Sequence, residues 1–166
     1  MTDLSVRRLT SSDAASWQQV RLEALSLYPD AYLTTRDEAE AVPLEIVAER
    51  LDAGQTFGAF AGGSLVGIST LVQLTRAQTR HRAEIGAFFV QPASQGQGVA
   101  PALLDSMATT ARKNDVRQLE LYVAASNGRA IAFYKRAGFR EVGQIPNATL
   151  SNGRAETDLI MVRELR

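Results

Sequence analysis

Residues 83–107, AEIGAFFVQPASQGQGVAPALLDSM, decide the fold of this chain. They have the pattern of an apolar strand, a turn of small residues at 95–100 and an amphipathic helix. The first turn of a helix has unpaired N–H groups and a partial positive charge, and both favour an anion. Glycine at positions 96 and 98 removes the Cβ atoms that would keep a pyrophosphate away from those groups. The segment therefore predicts a site for a phosphorylated ligand.

On either side of this segment, strand-like and helix-like stretches alternate. Gly62-Gly63 and Asn152-Gly153 each predict a hairpin turn. Expected strands cover residues 4–9, 55–61, 65–74, 81–90, 116–123, 139–150 and 154–165. Two helices are expected over residues 44–51 and 98–113. A third is expected from a cap at residues 11–13 to residue 28, and a fourth from a cap at residue 126 or 127 to residue 137. This order predicts an α/β fold with a mixed sheet, in one domain over residues 1–166.

Composition excludes several classes of function. Eighteen basic residues balance eighteen acidic ones, so no global charge attracts nucleic acid or an anionic membrane. Because the chain has no cysteine, disulfides, a cysteine nucleophile and thiolate metal sites are excluded, and the single histidine argues against structural zinc. No apolar run has signal-peptide length or approaches the ~20 residues that span a bilayer. We expect a cytoplasmic enzyme or binding domain without a metal.

Two motifs on these elements resemble the signatures of the Gcn5-related N-acetyltransferase (GNAT) family. Gln95-x-x-Gly98-x-Ala100 fits the family's coenzyme-binding pattern, (Arg or Gln)-x-x-Gly-x-(Gly or Ala). Residues 127–139, NGRAIAFYKRAGF, fit a second pattern, an Asn followed by Ala-x-x-x-Tyr and then Gly-Phe. The resemblance implies acetyl transfer from acetyl-coenzyme A to an amine. It also implies a mostly antiparallel twisted sheet of about seven strands flanked by about four helices.

Carried over by position, the resemblance implies a set of coenzyme-binding residues. Most members have Arg-Gly in the loop where this chain has Gln95-Gly96, so one charge-assisted contact to the pyrophosphate is lost and weaker coenzyme affinity is expected. Backbone groups of residues 88–90 are expected to bind the pantetheine amides as an added strand would, and an N–H near Val90 to serve as oxyanion donor. The implied set is Phe89, Val90, Gln95, Gly96, Gln97, Gly98, Val99, Ala100, Asn127 and Tyr134.

Glu84 is the candidate general base. Transfer to an amine requires the neutral amine, whose reference pKa is ~10.4 for a lysine-type group. Glu84 is the one carboxylate in a strand that is otherwise apolar toward its end, and apolar surroundings raise a carboxylate's pKa. In the family a glutamate in a similar Ala-Glu-Ile context activates the amine. The alternatives are a solvated strand-end glutamate or an ion pair with Arg80 or Arg82.

Tyr134 is the candidate acid, since the resemblance implies that its hydroxyl approaches the coenzyme sulfur; the alternative is a packed aromatic ring. Asn127 is expected to cap its helix and, by resemblance, to contact the pantetheine arm. His81 lies three residues from Glu84, on the opposite face of a regular strand. It is interpreted as a hydrogen-bonded structural histidine or a reserve base.

The acceptor is an amine whose identity no residue specifies. The acidic residues at 37–40 could attract a cationic amine or form a solvated surface. The resemblance favours a homodimer paired through the C-terminal strands. A direct attack in a ternary complex is the leading mechanism because no cysteine is present to carry the acyl group. A non-catalytic acetyl-CoA-sensing module is the alternative, whereas a general nucleotide-binding domain fits poorly because G-x-G-x-x-G and a P-loop lysine are absent.

Overall fold

The computed structural model describes residues 3–166, whose strands form one seven-stranded sheet in the order β1-β2-β3-β4-β5-β7-β6. Every neighbouring pair is antiparallel except β4 and β5, which are parallel. The predicted α/β class and the mixed, mostly antiparallel sheet of about seven strands are confirmed. The strands are β1 (Leu4–Arg8), β2 (Thr56–Ala61), β3 (Ser64–Gln73), β4 (Arg82–Val90), β5 (Gln118–Ala124), β6 (Arg140–Ser151) and β7 (Arg154–Glu164).

Five α-helices flank the sheet, one more than expected. They are α1 (Ala14–Leu27), α2 (Arg36–Glu40), α3 (Leu44–Asp52), α4 (Val99–Lys113) and α5 (Gly128–Arg136). The additional helix, α2, contains the acidic run at 37–40. It begins with a capping box, in which Thr35 Oγ1 accepts from the Glu38 amide at 3.2 Å and the Glu38 carboxylate accepts from the Thr35 amide at 2.8 Å. No helix within residues 3–166 is long and apolar enough to cross a bilayer.

The helices pack on both faces of the sheet. On one face, Leu103 and Met107 of α4 lie in a buried cluster with Leu121 of β5. On the other face, Val20 of α1 and Leu51 of α3 lie in a second cluster with strand residues that include Ile68. Burying each such side chain stabilises the fold by about 1.5–3 kcal/mol. The sheet is therefore the middle layer between two layers of helices.

β4 and β5 are paired at one end and separate at the other. Residues 82–84 of β4 pair with residues 118–120 of β5, and the pairing stops there. Three positions further along β4, Ala87 has a positive φ of 48°, and the register with β3 shifts between the pairs Ile68–Phe89 and Thr70–Gly86. This is a β-bulge, which bends a strand and raises its twist. The second half of β4 therefore leaves β5, and a wedge opens in the middle of the sheet.

Candidate active site

The wedge contains two adjoining cavities. One, of about 700 Å³, is lined by Gly96 and Gly98 among others, and we call it the glycine-loop cavity. The other, of about 490 Å³, is lined by three acidic residues, Asp30, Glu84 and Asp158, and we call it the carboxylate cavity. Both are bounded by the bulge, through Gly86 and Ala87, and by residues from neighbouring elements: Ala31, Tyr32, Ile85, Tyr122 and Ala124. A ligand group in one cavity can thus reach a group in the other.

The glycine loop presents its backbone amides to the first cavity. Gly96 and Gly98 have φ values of 75° and 83°, and a Cβ at either position would meet no atom within 4 Å. The glycines are therefore needed for left-handed backbone conformation, and their missing Cβ atoms leave open space on the cavity side. No hydrogen bond within residues 3–166 uses the N–H groups of residues 96–100. Since Gly98 is also the N-cap of α4, these donors lie at the positive end of a helix dipole, an arrangement that binds anions.

The two glutamines of the loop brace it from within. Gln95 lines the cavity, and its Nε2 donates to the Val90 carbonyl at 3.1 Å. Gln97 Nε2 donates to the Ala93 carbonyl at 2.9 Å, and Gln97 is not among the lining residues. In this conformation neither amide is directed at an incoming phosphate. In this conformation both side chains hold the loop, and Val99 and Ala100 line the cavity.

Arg129 and Arg136 of α5 also line the glycine-loop cavity. Within residues 3–166 no carboxylate belongs to this lining. Sequence reasoning did not identify these arginines, although a separation of seven residues places both on one face of a helix, two turns apart. They supply cationic charge to this cavity. The loop itself supplies none, because it has Gln95 at the position where most members of the GNAT family, which its motifs resemble, have arginine.

Asn127 and Tyr134 lie where the second motif predicts. Asn127 Oδ1 caps α5 by accepting from the Ala130 amide at 3.2 Å, and Asn127 lines the glycine-loop cavity. Tyr134 is 7% exposed and packs edge-on against Phe88, with ring centroids 6.1 Å apart. Burial raises the pKa of the Tyr134 phenol, with a smaller contribution from Tyr32. The group therefore stays protonated near neutral pH, as a proton donor must.

The end of β4 offers a backbone donor to the gap. The Gln91 amide donates to the Val66 carbonyl of β3 at 2.9 Å. Because N–H directions alternate along an antiparallel strand, the Val90 N–H points to the other side, toward the wedge. The Phe88 carbonyl accepts from the Tyr32 hydroxyl at 3.0 Å, and burial raises the pKa of Tyr32 to about 12. Tyr32 thus fixes the bulge from outside the sheet, and no sequence motif indicated it.

Glu84 lies in the carboxylate cavity, but not in the apolar surroundings expected for it. Its side chain is exposed on β4. The alternative ion pair with Arg82 does not form either, because Arg82 Nη2 donates to Glu120 Oε2 at 2.8 Å. That hydrogen bond is the main cause of the lowered pKa of Glu120. Glu84 is therefore a solvent-accessible carboxylate in the carboxylate cavity, which Gly86 and Ala87 of the bulge also line.

Asp158 of β7 is a second carboxylate in this cavity that sequence reasoning missed. It is half-buried, and burial, followed by the charge of Glu156, raises the pKa of its side chain. Asp30 also lines this cavity, and it accepts a hydrogen bond from the hydroxyl of Ser151, the last residue of β6. No local signal could have identified these residues, because they come together only when β7 and the turn after α1 reach the bulge.

The other predicted candidates lie outside both cavities. His81 is exposed just before β4 and lines neither cavity; its carbonyl accepts from the Arg117 amide at 2.7 Å. None of residues 37–40 lines either cavity. Across residues 3–166, no group of three or more His, Cys, Asp and Glu residues is placed to hold a metal ion.

Comparisons with known proteins agree with this geometry. Residues 17–139 match the family model described as "Acetyltransferase (GNAT) family". The chain is 31% identical over 148 residues to the aminoglycoside N(6')-acetyltransferase type 1 of Stenotrophomonas maltophilia, covering 85% of this chain and 89% of that protein. It spans between 20% and 40% of the length of the first curated relatives it matches, which include mycothiol acetyltransferases.

Solved structures share the fold. The GNAT-family acetyltransferase of Streptococcus pneumoniae superposes with a TM-score of 0.86 at 22% identity, covering 98% of this chain and 100% of that one. The yncA protein of Salmonella typhimurium, solved with its cofactor acetyl-CoA, has a TM-score of 0.84 at 19% identity, covering 99% of this chain and 95% of that one. Because the family model matches residues 17–139 and the Stenotrophomonas enzyme is matched over most of its length, the chain belongs to the acetyltransferase (GNAT) family, which confirms the resemblance predicted from its two motifs.

Proposed function

We propose that the protein transfers the acetyl group of acetyl-CoA to an amine held in the carboxylate cavity, by direct attack within a ternary complex. The observation that carries the proposal is the charge of the two cavities. Unused loop amides and two arginines surround the first cavity, and three acidic residues line the second. An anionic carrier and a cationic acceptor would each find a complementary site, and the bulge at Ala87 lies between them.

The coenzyme is proposed to lie along the open half of β4. Its diphosphate would accept hydrogen bonds from the amides of residues 96–100, with Arg129 and Arg136 providing cationic charge nearby. Its pantetheine arm would occupy the space that β5 leaves, as an added strand, beside Phe89, Val90 and Asn127. In this placement every predicted coenzyme residue lines the cavity except Gln97, which would contribute its backbone N–H alone, and the Gln95 side chain supports the loop.

The residues present can supply the three needs of acyl transfer. A carboxylate takes a proton from the bound ammonium, and the neutral nitrogen attacks the thioester carbonyl. The Val90 N–H donates to the oxyanion that forms. When the carbon–sulfur bond breaks, Tyr134 donates its hydrogen bond and then its proton to the sulfur, and the proton released by the amine restores the phenol. The products are the N-acetyl amide and free coenzyme A thiol.

Glu84 is the proposed base, consistent with the resemblance and with its position at the wedge. Asp158 is the second candidate because burial raises its pKa and so makes its carboxylate a better proton acceptor than an ordinary aspartate. Asp158 is equally suited to attract the ammonium before the reaction. The two roles predict different kinetic defects, because loss of the base lowers kcat whereas loss of the attraction for the ammonium raises KM.

The acceptor class, the oligomeric state and the location extend the proposal. Relatives are named for different acceptors, an aminoglycoside in one case and, in RimI of Mycobacterium tuberculosis, an N-alpha amine. We infer that the acceptor here is an amine that binds as its ammonium. A homodimer through β6 is supported by the exposed apolar side chains of Val142, Ile145 and Leu150 on this edge strand, and light scattering of the purified protein tests it. One domain over residues 1–166 and a cytoplasmic location remain predictions.

Two measurements test the proposed function. Calorimetry with acetyl-CoA at millimolar concentration should detect binding, and a panel of amines should include some that release coenzyme A thiol. If no heat is detected, the coenzyme assignment is wrong. Binding without thiol release from any amine would instead favour the non-catalytic sensing module.

A further inference from the structure

Arg21 is a buried cation in the wall of the carboxylate cavity. It projects from α1 and is 9% exposed. Its guanidinium lies over the ring of Tyr32, with Cζ 4.7 Å from the ring centroid. Its Nη1 is buried and has no hydrogen-bond partner within residues 3–166. This is the one buried side-chain nitrogen or oxygen in that part of the chain without a partner.

Such a group is costly to the free protein. A buried charge needs pairing or hydrogen bonds, and a buried donor without an acceptor destabilises the protein, more so when it is charged. Burial lowers the pKa of Arg21, but an arginine remains charged in proteins. The cation–π contact with Tyr32 offsets part of the cost and supplies no acceptor for the N–H groups.

The acidic residues of the same cavity do not neutralise Arg21. None of the salt bridges within residues 3–166 involves it. Glu84 reaches the cavity from β4 and Asp158 reaches it from β7. Arg21 comes from α1, one of the helices that pack on the sheet. One cavity thus carries an unpaired cation on one wall and carboxylates on the others.

We propose that the acceptor is a small dipolar amine that carries a carboxylate, with its carboxylate bound by Arg21 and its ammonium directed toward Glu84 and Asp158. This inference rests on the proposed acetyl transfer and specifies the substrate class for it. The guanidinium fork suits a carboxylate, to which it can donate two parallel hydrogen bonds. A purely cationic polyamine would leave the Arg21 donors unsatisfied and place like charges together.

Tyr32 connects this anion site to the reacting centre. Its ring supports the Arg21 guanidinium, and its hydroxyl donates to the Phe88 carbonyl in the bulge. An acceptor held by its carboxylate would therefore be positioned relative to the strand that binds the thioester. Positioning of this kind raises the rate of attack without taking part in proton transfer.

The test compares amino acids with their own primary amides. Glycine, β-alanine, 4-aminobutanoate, L-methionine and L-phenylalanine are each assayed beside the amide, which has the same amine and shape but no negative charge. The primary amide has the less basic amine, so a larger fraction of that amine is neutral and able to attack at a given pH. Without a contribution from Arg21, the amide would therefore be the faster substrate. The wild-type enzyme is expected to show a kcat/KM at least about tenfold higher for the acid of the best pair, since a hydrogen bond to a charged group contributes roughly 1.5–3 kcal/mol.

Arg21→Met is expected to lower kcat/KM for the acid, mainly through KM, by a factor about tenfold larger than for the amide. Arg21→Lys should retain an intermediate preference, because it keeps the charge and loses the fork. Arg76→Met, an exposed arginine outside both cavities, should change neither. If Arg21→Met does not fold, the wild-type and Arg21→Lys preferences decide the matter.

Equal or better turnover of the amides by the wild-type protein would overturn the inference, as would an Arg21→Met defect of the same size on acid and amide. If no amine is turned over, the proposed function fails separately. Calorimetry with the same acids and amides in the presence of coenzyme A then decides: stronger, Arg21-dependent binding of an acid supports the inference, and equal or undetectable binding overturns it.

Discussion

The glycine-loop cavity and the carboxylate cavity meet at one bulged strand, yet the chain builds them in different ways. Most of the first is formed by two nearly continuous segments, at 85–101 and 122–136, each of which contains a motif. The second is assembled from short pieces of α1, the turn after it, β4, β5, β6 and β7. The difference shows that a site formed by continuous segments of the chain can be recognised from a sequence motif. A site formed by short segments that are far apart in the sequence has no such motif.

The cavities also differ in charge. The charged residues of the glycine-loop lining are both arginines, while the carboxylate cavity has three acidic residues and one unpaired arginine. The charge of the first lining therefore favours a phosphate group, and that of the second favours an ammonium group. The following variants are chosen to affect one cavity and spare the other, beginning with the largest expected effect.

Glu84→Gln is expected to reduce kcat about a hundredfold with little change in the Kd for acetyl-CoA, because general-base catalysis contributes about 10²–10⁴ and an exposed base lies at the low end. Steady-state kinetics and calorimetry give the two quantities. Glu45→Gln, on exposed α3 surface outside both cavities, is the control. An undiminished kcat would exclude Glu84 as base and leave Asp158.

Gly98→Val is expected to weaken acetyl-CoA binding roughly thirtyfold, since left-handed backbone costs a non-glycine residue about 1–2 kcal/mol and the new side chain would enter the cavity. Gly63→Val is the matched control. Gly63 has a φ of 82° and equally open surroundings, but it lies in the turn between β2 and β3, away from both cavities. It should lose a similar amount of stability and keep its coenzyme affinity, as measured by thermal melting and calorimetry.

Tyr134→Phe is expected to lower turnover at least about tenfold and to leave coenzyme binding nearly intact, because the ring packing is preserved while the proton donor is lost. Turnover and the Kd for acetyl-CoA are measured on the same preparation. Unchanged turnover would remove Tyr134 from the mechanism.

Asp158→Asn is expected to change the pH dependence of kcat/KM. The raised pKa of Asp158 means that the wild-type carboxylate becomes neutral at a higher pH than an ordinary aspartate. As pH falls through that pKa, the cavity loses a negative charge, the ammonium binds less well and kcat/KM falls through an increase in KM. The Asn variant should have a raised KM throughout and should lack this acidic limb. A defect confined to kcat would identify Asp158 as the base instead.

Arg129→Ala is expected to weaken acetyl-CoA binding about threefold, with a smaller salt dependence, because an exposed charge contributes roughly 0–1 kcal/mol. Lys135→Ala removes a charge from the same helix at a position outside the cavity lining and should have no such effect. Calorimetry at two salt concentrations measures both variants. An equal loss in the two would assign the effect to the general charge of α5.

Much of the fold was predictable because local patterns and tertiary packing agree. Gly62-Gly63 and Asn152-Gly153 form the predicted turns, and the largest shift of a strand start is at β5, which begins at Gln118 and not at 116. The helix α2 was missed although its capping box, Thr35 with Glu38, is present in the sequence, because five residues are too few for a periodic pattern.

The candidate site was predictable in part. The loop at 95–100 and Tyr134 follow from motifs, whereas Tyr32, Asp158 and Arg21 enter from other elements at positions where no motif occurs. The apolar surroundings predicted for Glu84 are not observed, because the pattern of one strand does not say which of its side chains other elements will cover.

From its amino acids alone, this chain reveals its family, its α/β layers and a glycine loop suited to an anion, since helix caps, glycine conformations and strand alternation depend on residues close together in the chain. The tertiary structure alone decides where β4 leaves β5, which carboxylates share a cavity and that Arg21 lies there unpaired. These features depend on register and packing between segments far apart in the chain, and the free energy of such a contact depends on both segments together.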